Sequence, residues 1–167
     1  LDSAQKYLKD KARPDVVQNI HALLQISFSK QDYAQILKYV KIYNESTLFN
    51  ALRKQSYDNL DAWAAYHVGE AFFNTGDVNT AVGWFGKAVS LAPYNLEFRN
   101  KLGSAYMKVG KIADAEKEFE FMIKEHPKNI SAYTNLGFIK ISQNNVVEAE
   151  QLYNKALKLD PDYEPLL

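Results

Sequence analysis

Cysteine is absent from this chain, which removes disulfides, thiolate metal sites and cysteine nucleophiles together. Histidine is nearly as scarce: His21, His67 and His126 lie far apart, and no paired-histidine metal motif, phosphate-cradling glycine loop or nucleophile elbow occurs. Charge of one sign is missing too. Twenty basic residues balance twenty acidic ones, so no overall field draws the chain to nucleic acid or to an anionic membrane surface. No apolar run reaches the roughly 20 residues of a membrane span, and the first ten residues, LDSAQKYLKD, lack the apolar centre of a signal peptide. Because Leu1 is not a methionine, we expect a trimmed piece of a longer chain, and the compartment stays open. These absences leave no cofactor or metal to expect, no nucleic acid among the partners and no direct membrane insertion.

What the chain does have is a repeat. Pro93, Pro127 and Pro161 are spaced by 34 residues, and Gly69, Gly103 and Gly137 keep the same step, as do Ala81, Ala115 and Ala149, and Phe85, Phe119 and Tyr153. Repetition at this period marks an array of supersecondary units. Three units follow, at 62–95, 96–129 and 130–163. Within each, apolar residues recur three and four apart, the period of a helix face. One interruption falls near the middle: Thr75-Gly76-Asp77, Val109-Gly110-Lys111 or Gln143-Asn144-Asn145. Glycine and asparagine there can take the left-handed conformation that ends a helix, and Asp77 can cap the next one. The second helix should stop before each proline, whose ring pushes the preceding residue out of the helical region. Each unit is therefore predicted to be a helical hairpin. Gly69, Gly103 and Gly137 on the first helices are expected to face Ala81, Ala115 and Ala149 on the second.

The order of small residues, aromatic and proline in VGEAFFNTGDVNTAVGWFGKAVSLAP, LGSAYMKVGKIADAEKEFEFMIKEHP and LGFIKISQNNVVEAEQLYNKALKLDP resembles the tetratricopeptide repeat. The resemblance covers 62–163. It implies an all-α fold, a right-handed superhelical array of antiparallel helical hairpins whose first helices line a concave groove. Carried over position by position, that groove takes Trp63, Tyr66, His67, Glu70, Phe73 and Asn74 from the first unit. The second supplies Asn100, Lys101, Ser104 and Lys108, and the third Thr134, Asn135, Phe138 and Ser142. Such a lining suits a peptide with one or two apolar anchors and a few polar contacts better than a highly charged ligand. The subclass that clamps chaperone tails needs five converging donors, Lys, Asn, Asn, Lys and Arg, for two carboxylates. Here the corresponding positions read Tyr66, Glu70, Lys101, Ser131 and Asn135, or one unit earlier His21, Gln25, His67, Glu97 and Lys101, and neither set makes the clamp.

The first 61 residues match less well. Residues 16–43 have the spacing of a degenerate hairpin and 46–55 that of an inserted short helix; an unrelated helical domain is the alternative. At the other end, 164–167 begin a truncated or missing capping helix. The exposed side of the last hairpin, with Leu152, Ala156 and Leu159 as candidates to show, is then covered either by a continuation of the natural chain, which we favour, or by another copy in a homo-oligomer. Gly83 and Gly86 flank Trp84 on the predicted outward side of a helix and suggest a second, convex contact. The expected function is a non-enzymatic protein-protein interaction module, an adaptor or assembly factor that takes a protein or peptide ligand in its groove. The alternatives are a self-associating scaffold and a regulatory domain cut from a larger enzyme.

Overall fold

The computed structural model describes residues 62–160 together with 26–27, 29–30 and 32–38. The suggested inserted helix at 46–55 and the segment 164–167 lie outside the described residues. All regular secondary structure among the described residues is helical. Over residues 62–160 six helices run in sequence: α1 (Ala62–Asn74), α2 (Val78–Leu91), α3 (Leu96–Lys108), α4 (Ile112–Glu125), α5 (Ile130–Ser142) and α6 (Val146–Leu159). They pair as hairpins α1–α2, α3–α4 and α5–α6. Two compact units are present, one ending at Ala92 and one beginning at Pro93; the first holds α1 and α2, the second α3 to α6.

The turns follow from local chemistry. Gly76 and Gly110 sit at φ +93° and +77° and Asn144 at +61°, the left-handed region that glycine enters freely and asparagine tolerates. The next helix is then capped by a side chain: Asp77 accepts from the Thr80 N–H and Asn145 from the Glu148 N–H. Between hairpins, Asn95 and Asn129 cap α3 and α5. The middle hairpin departs from this pattern. Lys111 occupies the cap of α4 with φ −84° and ψ 61°, close to the −82° and 68° of Asp77, yet makes no side-chain cap hydrogen bond. Each second helix ends on a residue outside the helical region, Ala92, His126 or Asp160, directly before its proline, as the steric rule requires.

Each hairpin closes around one contact. A Cβ added to Gly69 would lie 2.7 Å from the Phe85 ring, one on Gly103 2.6 Å from Phe119, and one on Gly137 3.0 Å from Tyr153. The glycines therefore seat an aromatic ring of the second helix, four residues after the buried alanine of the same face, and the ring fills the space that a missing side chain leaves. Phe85 and Phe119 are fully buried, each worth about 1.5–3 kcal/mol of apolar burial. Burial also holds the Tyr153 phenol above its ordinary pKa.

In the first unit, Val68 and Ala71 of α1 form a small core with Ile36, and Tyr33, Leu37, Phe72 and Trp84 pack against it. Residues 33–38 are helical, and Asp32 accepts from the Gln35 N–H at 3.1 Å. In the second unit one core joins α4, α5 and α6 through Phe119, Met122, Tyr133, Leu136, Ile139, Leu152 and Ala156. Leu152 and Ala156 are thus interior. Of the three apolar residues expected to show on the last hairpin only Leu159 does, because the helix turns the other two toward α5.

Two polar clusters brace the second unit. Arg99 donates to the Pro93 carbonyl at 2.6 Å and pairs with Glu118 at 2.5 Å, while its guanidinium lies 3.6 Å above the Phe121 ring. Lys140 on α5 pairs with Glu116 on α4 and, at 3.4 Å, with Glu148 on α6; Gln143 adds a hydrogen bond to Glu116 at 3.3 Å. The hydrogen bond from Lys140 holds the Glu116 carboxyl below its ordinary value, and the same bond raises Lys140.

The two kinds of glycine should respond oppositely to alanine. Gly103→Ala forces a Cβ into a buried ring and should lower unfolding free energy by about 1–2 kcal/mol net of the helix-propensity gain. Gly83→Ala with Gly86→Ala, where no atom lies within 4 Å of the new Cβ, should raise it by about 2 kcal/mol; urea denaturation measures both. Lys111→Asn supplies the missing cap and should add about 1 kcal/mol by the same assay. Because the Glu116 pKa is lowered on folding, its contribution is fully present above the unfolded value near 4.5 and lost as pH falls through the folded value. The stability difference between the native chain and Glu116→Gln should therefore shrink as pH drops below 4.5; a constant difference would contradict the pairing.

Candidate functional site

The residues predicted to line a groove lie on α1, α3 and α5. On α1, Trp63, Tyr66 and His67 form an aromatic group: the Trp63 and Tyr66 rings meet edge to face at 5.5 Å, and His67 lies 5.7 Å from Trp63 and 5.5 Å from Tyr66. Their exposures differ. Trp63 is 42% exposed, His67 half-buried, and Tyr66, at 3%, belongs to the core, 5.7 Å from Phe85. Phe73 is half-buried and also approaches Phe85, at 6.2 Å. Glu70 is half-buried, and the exposed Asn74 donates to its backbone carbonyl at 2.8 Å.

On the second unit, a hydrogen bond from Asn135 Nδ2 to Asn100 Oδ1 at 2.9 Å joins the predicted faces of α5 and α3. Whichever way round the two amides sit, the pair leaves one donor group and one acceptor pointing away from their shared bond, the complement of a peptide unit. Ser104 spends its hydroxyl on the Asn100 carbonyl, Thr134 on that of Ser131 and Ser142 on that of Ile139, so these three supply shape more than donors. Lys101 is half-buried and Lys108 exposed. Phe138 is 57% exposed, a large apolar surface that the fold leaves in water.

Ile141 was not among the predicted residues, yet it is 47% exposed and shares the outward stripe of α5 with Thr134 and Phe138, seven and three positions away. That spacing was its one available signal. Ile139, two residues earlier, is fully buried, and nothing in the identity of an isoleucine separates the two.

On α2, Gly83 is exposed and Gly86 half-buried, with open space beyond both. Trp84 turns the other way and packs on the core around Ile36, Val68 and Ala71. The indole is half-buried against that core, and the notch at Gly83 and Gly86 consists of backbone. Among the described residues no three His, Cys, Asp or Glu side chains stand close enough to hold a metal ion, and no helix is long and apolar enough to cross a membrane.

The family model described as tetratricopeptide repeat matches residues 130–163. A human relative, protein O-mannosyl-transferase TMTC3, is 24% identical over 136 residues, 72% of this chain but 15% of that protein, so the chain spans a small part of that relative's length. The crystal structure of MamA superposes with a TM-score of 0.75 at 24% identity, over 95% of this chain and 85% of that one. The first repeat domain of Spaghetti (RPAP3), bound to the HSP90 peptide SRMEEVD, gives 0.58 at 24% identity, over 62% of this chain and 82% of that one. The glycine-on-ring hairpins, the left-handed turns and these likenesses agree on the fold: residues 130–163 match the tetratricopeptide repeat, and the described residues form helical hairpins like those of proteins built from such repeats.

Proposed function

We propose that this chain is a protein-protein interaction module that takes a peptide or protein segment along its first-helix faces and acts as an adaptor or assembly factor rather than as a catalyst. The observation that carries this reading is the α3–α5 face. There an exposed Phe138 and Ile141 stand on the same helix as Asn135, whose amide is paired to Asn100. An apolar anchor beside amides that can bond a peptide backbone is the minimum a peptide seat requires. The peptide-bound RPAP3 repeat domain supports a ligand of this class. The HSP90 peptide itself is a poor candidate for this chain, since the five cationic and amide clamp positions are not filled here.

The aromatic group on α1, with Trp63 exposed, would offer a further anchor on the first unit. Tyr66 is better left out of any test, because its buried ring supports Phe85.

Replacing Phe138 by alanine and Asn135 by aspartate should weaken capture of a ligand selected from a peptide library by tenfold or more, about 1.4 kcal/mol, with the melting temperature held within 2–3 °C, a tolerance on the order of what an exposed substitution gives. Undiminished capture by a folded double variant would reject this face as the seat. A self-associating scaffold, by contrast, would keep its mass in solution through both changes.

A further inference from the structure

Along the α3–α5 face the hydroxyls are engaged within their own helices, Ser104 by the Asn100 carbonyl, Thr134 by that of Ser131 and Ser142 by that of Ile139. The two amides differ. Asn135 donates to Asn100 at 2.9 Å, and that one bond leaves a carbonyl oxygen on one amide and an amino group on the other with no partner among the described residues. Neither group is sealed from solvent. Both side chains are half-buried and each restrains the other, so the two groups are in place before a ligand arrives. The pair bridges α3 and α5, between two described hairpins, and is not part of the outer flank of α6.

A ligand group that meets both must carry a donor and an acceptor. A carboxylate brings acceptors alone and sets its charge against the amide oxygen, while an ammonium or guanidinium brings donors alone and meets the amino group. One trans peptide unit holds its N–H and C=O on opposite sides, so it satisfies either group but not both at once. A primary carboxamide holds both on one carbon.

We propose that Asn100 and Asn135 read a glutamine or asparagine side chain in a segment of a second protein, next to the apolar residue of that segment that meets Phe138. Hydrogen-bond complementarity is the reason, and the inference rests on the peptide seat proposed above. It adds selectivity to that seat: backbone contacts are common to every peptide, whereas a half-buried donor and acceptor discriminate against a side chain that leaves either unmatched.

The test selects short peptides from a random phage-displayed library on the whole chain and resynthesises the captured sequences with a fluorescent label. They should share a glutamine or asparagine at one position. Changing it to glutamate should weaken binding to the native chain about tenfold in fluorescence anisotropy, the size of one unmatched hydrogen-bonding group. With Asn135→Ala, or with Asn100→Ala as a second variant, each shown folded by circular dichroism, the same change should cost at most about twofold. Pairing by the N–H and C=O of one extended residue would enrich no position. Captured peptides that lack a shared carboxamide, or an equal loss on all three chains, would overturn this inference and leave the seat standing where Phe138→Ala still weakens them. Failure to capture any peptide would overturn both. A dimer in sedimentation that Asn135→Ala dissolves would make a second copy the occupant and overturn the carboxamide reading too.

Discussion

Everything in these hairpins depends on an aromatic ring lying flat on a glycine. The first helix of each hairpin gives up its side chain at Gly69, Gly103 or Gly137, and the second fills the gap with Phe85, Phe119 or Tyr153. Distances of 2.6–3.0 Å to a Cβ that is not there mean that no other residue fits without moving the ring or the helix. Once the two helices are locked at that depth, the rest of each face is determined. The alanines at 81, 115 and 149 become fully buried, and the turn between the helices must be short enough to need a left-handed residue. The helix face opposite the ring is left for other uses.

Over residues 62–160, helix count, hairpin pairing, the turn residues and the stops before proline were all legible in the sequence, because each has a local cause that recurs three times. That the nearest atoms to the glycines belong to a ring was not. A period says which positions correspond, not whether the neighbour of Gly103 is an alanine methyl or a phenylalanine ring. The same limit explains Leu152 and Ala156, which look like an open flank in sequence and lie in the core in space.

The predicted groove residues divide by a similar rule. Phe138 and Trp63 stand in water while Tyr66, at a position of similar expectation, is drawn in toward Phe85. Family register gives direction around the helix to about a quarter turn, roughly the angle between adjacent residues, and a long aromatic can lean that far to either side. Trp84 is the clearest instance. Its neighbours Gly83 and Gly86 face outward, whereas the indole turns back to roof the core around Ile36. Ile141 shows the converse, a residue whose apolar identity points to the interior and whose place on the helix sets it outside.

Lys140 connects three helices with one ammonium group, reaching Glu116 on α4 and Glu148 on α6 from its seat on α5. In a linear array, where stability is a sum of unit terms and nearest-neighbour terms, such a residue belongs to both the hairpin and the junction at once. The last two hairpins cannot open separately without uncovering its charge in a half-buried place. The ion pairs thus tie α4, α5 and α6 together, and their backbone amides are expected to share one opening event.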